Sequence, residues 1–287
     1  MRIGNSIAIG VSYCLLAAAL AAHAAETLTG RWMIDTVPGA DPVQLTLHRG
    51  DGRWTSTSSF SIAPSSLRGL TRTQTDSAAG QTVRFEIARD AGTLNCEGYF
   101  KAGNGAGAFS FAANPSFISE MRSLGYDGLS TETVYSMAMH DLGPKYVREL
   151  KALGLNRLSI DDLTSMRIHG VTAEYIRALR DLGYSSLDAD KLVSMRIHGV
   201  EVEFVRDLKN MGYHPTTDEL VSLRIHGATT DFVKQIKDLG YGPTLDQLVT
   251  MRIHGVTPEY IHDMRARGLK NLSIDQLVNL KIHGISD

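Results

Sequence analysis

The sequence predicts an α+β chain: a small antiparallel β domain, an open or half barrel, followed by an α-solenoid of about six two-helix repeats of 28–29 residues. Three observations carry this. Apolar residues alternate with period two from Leu28 to Ala112 and take helical spacing after Asn114. The pentapeptide Met166-Arg167-Ile168-His169-Gly170 returns at Met195, Leu223, Met251 and Leu280, with Lys281 replacing arginine in the last copy. Successive starts lie 29, 28, 28 and 29 residues apart, the fixed pitch of a repeat array.

Residues 1–24 have the parts of a secretory signal peptide: the basic start Met1-Arg2, an apolar run through Leu15-Leu16-Ala17-Ala18-Ala19-Leu20, and the small-x-small site Ala22-His23-Ala24. Cleavage after Ala24 predicts an exported chain, periplasmic or secreted, with no stable membrane span. The other reading is an uncleaved anchor, since the uncharged stretch approaches the ~20 residues that cross a bilayer. Cys96 is then the only cysteine of the mature chain, so no intrachain disulfide is expected and packing must hold the fold. Cys96 stands in an alternating run and reads as a buried hydrophobe rather than a nucleophile. A net charge of -2 gives no general attraction to phosphate backbones, so no nucleic-acid partner is expected.

Residues 25–113 form the expected β domain. Gly30–Ile34, Val43–Leu47, Val83–Ile87 and Gly107–Phe111 alternate as strands, and Asp51-Gly52 and Asp90-Ala91-Gly92 separate them as turns. Six or seven strands are expected. Gly30-x-Trp32 resembles the first strand of lipocalin-like barrels, but ~85 residues is short for an eight-stranded cup, so an interior filled by side chains is predicted. An apolar cavity beneath Trp32 would instead mark a small-ligand-binding domain with the repeats as its spacer. The run Gly103-Asn104-Gly105-Ala106-Gly107 has no helix behind it to aim amides at an anion, and reads as a hairpin turn rather than a phosphate loop.

Residues 114–287 form the array. The first helix of each unit is capped at Asn114, Gly143, Thr172, Glu201, Thr229 and Thr257, with an aromatic residue three positions on, and stops at a glycine from Gly125 to Gly268. Pro115, Pro144 and Pro258 follow their caps, where a missing amide costs nothing. The second helix is capped at Ser130, Ser159, Asp188, Thr216, Thr244 and Ser273, carries an acid two residues later, and ends at His-Gly. Helices this short are marginal alone and must stack on their neighbours. Leu163 and Met166 lie on one side of the second helix and Ile168 nearly opposite, so this helix is expected to be sandwiched between adjacent units.

Two basic columns stand on the exposed side of the first helix. Arg148, Arg177, Arg206, Lys234 and His262 form one; Lys151, Arg180, Lys209, Lys237 and Arg265 stand three residues further on. Stacking would align them as a ridge. Two readings stay open: solvated charges balanced by Glu149, Asp181, Asp207 and Asp238, or a docking ridge for an acidic protein segment or anionic envelope polymer. The histidine column His140, His169, His198, His226, His254 and His283 invites a metal, but adjacent units stand ~8 to 10 Å apart and one ion needs its nitrogens at ~2 Å. A structural role at helix C-termini is expected, where the side chain suits the dipole and can bond a carbonyl of the next unit. No metal and no cofactor are expected. No zinc-protease, nucleophile-elbow or P-loop motif is present, and a non-enzymatic protein is predicted.

The repeat, with its Thr-x-Glu-Tyr start at Thr172, its Leu-Gly-Tyr corner at Leu182 and its Ile-His-Gly end at Ile168, resembles the extracytoplasmic repeats of some bacterial BlaR/MecR-type proteins. In some of these the repeats follow a membrane metallopeptidase and a small β region. The resemblance covers about Gly92 to Asp287; the peptidase's zinc motif and membrane helices are missing here, so no catalytic residue carries over. It implies an interaction or adaptor module of the cell envelope, docking a protein partner such as an envelope peptidase or signalling protein. A regulatory subunit or inhibitor of such a peptidase is the alternative. Self-association is also expected, through a last repeat that leaves Leu277 and Ile282 uncovered.

Overall fold

The computed structural model describes residues 27–36, 42–50 and 55–284. The signal-peptide segment and the Asp51-Gly52 turn lie outside them. The chain forms six strands: β1 (Leu28–Asp35), β2 (Val43–Gly50), β3 (Thr55–Ile62), β4 (Gln81–Arg89), β5 (Gly92–Lys101) and β6 (Asn104–Ala113), of which β3 is a Ser/Thr-rich edge without apolar alternation. They build one antiparallel sheet in the order β3-β2-β1-β6-β5-β4. The first strand pairs with the last, Leu28 opposite Phe111 and Asp35 opposite Asn104, which puts both in the middle of the sheet. Between β3 and β4 the chain makes a short helix, α1 (Arg72–Thr75), and Arg68 exchanges two backbone hydrogen bonds with Glu86 on the outer edge of β4.

The sheet curls around its apolar face. Trp32 on β1 meets Phe85 on β4 edge-on at 5.0 Å although β6 and β5 lie between those strands, and it stacks on Phe100 at 5.6 Å. Its indole nitrogen donates to the Glu97 carbonyl at 3.1 Å, which satisfies the one polar atom carried inside. Trp32 is fully enclosed, so its surroundings are a filled core and not an apolar cup. Glycines make room for these rings. A Cβ on Gly98 would stand 2.6 Å from the Trp32 ring, and one on Gly105 2.4 Å from the Phe100 ring. The expected hairpin turn at Gly103–Gly107 is therefore shorter than read: only Ala102 and Gly103 turn, both left-handed with φ of 47° and 86°, while Gly105 and Gly107 are strand residues opposite Phe100 and Gly98.

Twelve helices follow in pairs: α2 (Pro115–Ser123) with α3 (Thr131–Met139), α4 (Pro144–Ala152) with α5 (Ile160–Ile168), α6 (Ala173–Asp181) with α7 (Ala189–Ile197), α8 (Val202–Asn210) with α9 (Thr217–Ile225), α10 (Thr230–Asp238) with α11 (Leu245–His254), and α12 (Pro258–Ala266) with α13 (Ile274–Ile282). First helices pack on first helices of neighbouring units and second on second, giving two parallel layers. Every cap read from the sequence is in place, and Ser159, Thr216, Thr244 and Ser273 complete reciprocal capping boxes with the residue three positions on.

Both kinds of helix end alike. The residue after the turning glycine sends its amide back to the carbonyl five positions earlier, as in Tyr213 to Leu208 at 3.0 Å and Val200 to Met195 at 2.8 Å. In the first unit Asp141 takes the glycine's place with φ of 51°. The array joins the sheet through α3: Tyr135 stacks on Phe109 at 6.1 Å and meets Phe111 edge-on at 5.4 Å. Arg49 lies over the same ring at 4.6 Å and grips Glu132 with two hydrogen bonds of 2.6 and 2.7 Å. Among the described residues no helix is long and apolar enough to cross a membrane.

Candidate docking face on the helical array

The two basic columns of the first helices do different work. In the column of Arg148, Arg177, Arg206 and Lys234 the side chains are exposed. Arg177 bonds Glu174 at 3.2 Å, Arg206 bonds Glu203 at 3.0 Å, and Arg148 pairs with Glu120 of the preceding unit. The Arg206 hydrogen bond holds the Glu203 carboxyl below the usual range.

The second column is a set of stitches between units. Arg180 donates to the Leu153 carbonyl, Lys237 to Met211 at 2.6 Å and Arg265 to Leu239 at 2.8 Å, each reaching the C-cap of the preceding first helix. Lys151, Lys209, Lys237 and Arg265 also lie over Tyr126, Tyr184, Tyr213 and Tyr241 of the preceding unit, 5.1 to 5.5 Å from the ring centres. Those tyrosines donate in turn to the next unit, from Tyr184 to the Pro215 carbonyl at 2.6 Å and from Tyr213 to Pro243 at 2.9 Å. A single exposed ridge made of both columns is therefore not what the chain presents.

The pentapeptide arginines form a second ladder. Arg167, Arg196 and Arg252 donate to the backbone carbonyls of His140, His169 and His226 in the unit before, at 3.3 to 3.4 Å. Arg167, Arg196, Arg224 and Arg252 lie over the first-helix rings of their own units, Tyr146, Tyr175, Phe204 and Phe232, at 5.0 to 5.2 Å. Tyr146 and Tyr175 donate to Val171 and Val200 at 2.7 Å, and burial pushes both phenols up to about 12. The histidine column serves this ladder through its backbone. The expected imidazole bond to a carbonyl of the next unit is absent among the described residues; the contact between the units runs instead from the next unit's arginine to the histidine's own carbonyl. Burial, helped by the nearby Arg167, lowers the His140 imidazole. The described residues hold no group of three metal-ligating side chains close enough for one ion. Cys96 is buried and its thiol is pushed up to about 12 by desolvation, which keeps it protonated and unreactive.

The apolar residue that sequence reasoning misplaced is the pentapeptide isoleucine. The second helices stack edge to edge, which packs Val193, Val221, Val249 and Val278 of the second apolar side against the core but leaves the isoleucine beside them in solvent. Leu163 and Met166 and their equivalents through Met251 are wholly buried, and Leu280 in the last unit is half-buried, whereas Ile168, Ile197, Ile225, Ile253 and Ile282 are 52 to 55% exposed. The expected sandwich is corrected accordingly: each unit from the second on lays its isoleucine on the open side of the helix-two layer, and the first has Met139 there. Leu277, expected to lie bare at the last unit, is 1% exposed, in a helix that packs on α11. The sheet has an open hollow of about 1230 Å³ bordered by Arg31, His48, Arg68, Arg84, Glu86 and Glu97 together with Phe85, Cys96 and Phe109, and Trp32 is not among its lining residues. No protein-family model and no curated protein matches the chain.

Proposed function

We propose that the chain is an exported, non-enzymatic binding module of the bacterial cell envelope that docks a protein partner on its helical array. The observation that supports this best is the row of five half-exposed isoleucines at a 28- or 29-residue pitch. Isolated exposed apolar residues need no explanation, but an aligned row is the mark of a contact surface. The isoleucines close no core, since the residues that do so are buried beside them. The likeness of the repeat to BlaR/MecR-type arrays favours an envelope peptidase or signalling protein as the partner, with regulation of such a peptidase as the form the contact takes.

The test is a photo-crosslinking side chain placed singly at Ile197, Ile225 and Lys234 in the full chain in its native host. Protein adducts are expected from the two isoleucine positions and not from Lys234. Adducts from Lys234 alone would return the basic column as the docking surface. Adducts from none would overturn the reading.

A further inference from the structure

We infer that the helix-two face takes a cationic amphipathic protein segment, its apolar side chains on the isoleucine row and its lysines or arginines over a parallel row of aspartates. This rests on the docking reading above and adds the chemistry of the partner. In α5, Asp161 precedes Ile168 by two helical turns, so the two lie on one line down the helix, about 10 Å apart. Ser165 stands between them. The strip recurs as Asp190, Ser194 and Ile197, then Asp218, Ser222 and Ile225, then Asp246, Thr250 and Ile253, then Asp275, Asn279 and Ile282.

All five aspartates are exposed, and no strip contains a basic residue. The pentapeptide arginines are turned away, Arg167, Arg196, Arg224 and Arg252 lying over aromatic rings of the first helices, and Lys191, the exposed cation beside Asp190, pairs with Asp188 at 4.0 Å. Arg167 and Arg196 are further neutralised by Asp141 and Glu201 at 3.0 and 2.9 Å. The face is thus an apolar row beside an anionic one. Such a surface repels anionic polymers and anionic lipid and attracts a basic partner. Its spacing fits as well. Packed helices stand ~8 to 10 Å apart, and a partner helix brings round the same face every ~10.5 Å, one heptad. An amphipathic helix laid along the array would meet a new isoleucine with each heptad.

The probe is a fluorescein-labelled synthetic peptide about three heptads long, with one leucine per heptad flanked by lysines. Its binding to the full chain is followed by fluorescence anisotropy. The lysine peptide is expected to bind more weakly as salt is raised, and a glutamate-for-lysine version is expected not to bind. Ile197→Ser with Ile225→Ser, and separately Asp190→Asn with Asp218→Asn, should each weaken binding by about tenfold while circular dichroism stays helical. If the aspartate variant loses helicity, the salt dependence of the unaltered chain decides in its place. Failure of the lysine peptide, or binding indifferent to salt, overturns the inference. Crosslinks from Ile225 alongside a failed peptide would overturn the cationic partner alone; loss of both would overturn the docking reading too.

Discussion

Glu132 shows how one charge can fasten two kinds of structure. It accepts both hydrogen bonds of Arg49, whose side chain is 11% exposed, and that hydrogen bonding holds its carboxyl below the usual range. The lowered value means that the pair stabilises the fold above the ordinary carboxylate range and that this contribution is lost as pH falls through the lowered value. Glu132→Gln should cost about 0.5 to 1 kcal/mol at neutral pH, because solvent screens the largely exposed carboxylate, read by urea unfolding, and should flatten the loss of stability in acid. Tyr146 and Tyr175 act at the other end of the scale. Their phenols rise to about 12 from an ordinary ~10, so their contribution is whole below the ordinary value and is lost as pH rises through about 12. Tyrosinate absorbance should reveal them, together with Tyr135, as the late-titrating group, and Tyr175→Phe should remove one such transition. At this scale the sequence was readable where burial alone decides, as for Trp32 and Cys96. It was not readable for Arg180 and Lys209, whose partners are a carbonyl and a ring one unit earlier, a contact that no side-chain pattern within the unit announces. Reversing them to glutamate would disturb stacking as well as charge.

At the scale of the element, punctuation was legible and orientation was not. Caps, prolines and turning glycines follow from backbone chemistry within a few residues, and they fall where the sequence placed them. Gly212 has φ of +92° with open space around it, so Gly212→Ala should cost about 1 to 2 kcal/mol from the backbone alone, measured by thermal unfolding. Which apolar side of a second helix stays bare depends on how neighbours pack, and Ile168 and Leu163 are equally apolar in the sequence. In the sheet the strand pattern was clear except in Ser/Thr-rich β3, but Gly105 of β6 serves the Phe100 ring and Gly107 the close backbone of β5 rather than a turn. Gly98→Ala should destabilise by about 1 to 3 kcal/mol, because its Cβ would press on the Trp32 ring and on the Ala106 carbonyl.

Across the whole molecule, each unit touches chiefly the units beside it, so cooperativity is passed from neighbour to neighbour. Leu223 is wholly buried in the middle of the array, and Leu223→Ala should cost about 2 to 5 kcal/mol. Hydrogen exchange should then accelerate most in α8 to α11, with β1 to β6 least affected. The α+β order and the repeat number were legible because periodicity is a property of the whole sequence. The way the sheet receives the array was not, because it depends on Arg49 and Tyr135 meeting across 86 positions. The sheet supplies what an end unit of a solenoid otherwise lacks, a partner for the outer side of its first pair.

The arginine ladder has one more consequence. Since Arg167, Arg196 and Arg252, like Arg180, Lys237 and Arg265, each reach a backbone carbonyl of the unit before, these bonds do not depend on which side chains that earlier unit carries on its open face. Exposed positions can drift, unit by unit, while the seams stay closed. Such a chain can be lengthened by copying or retuned one rung at a time, and the number of rungs sets how many weak contacts a bound segment makes at once.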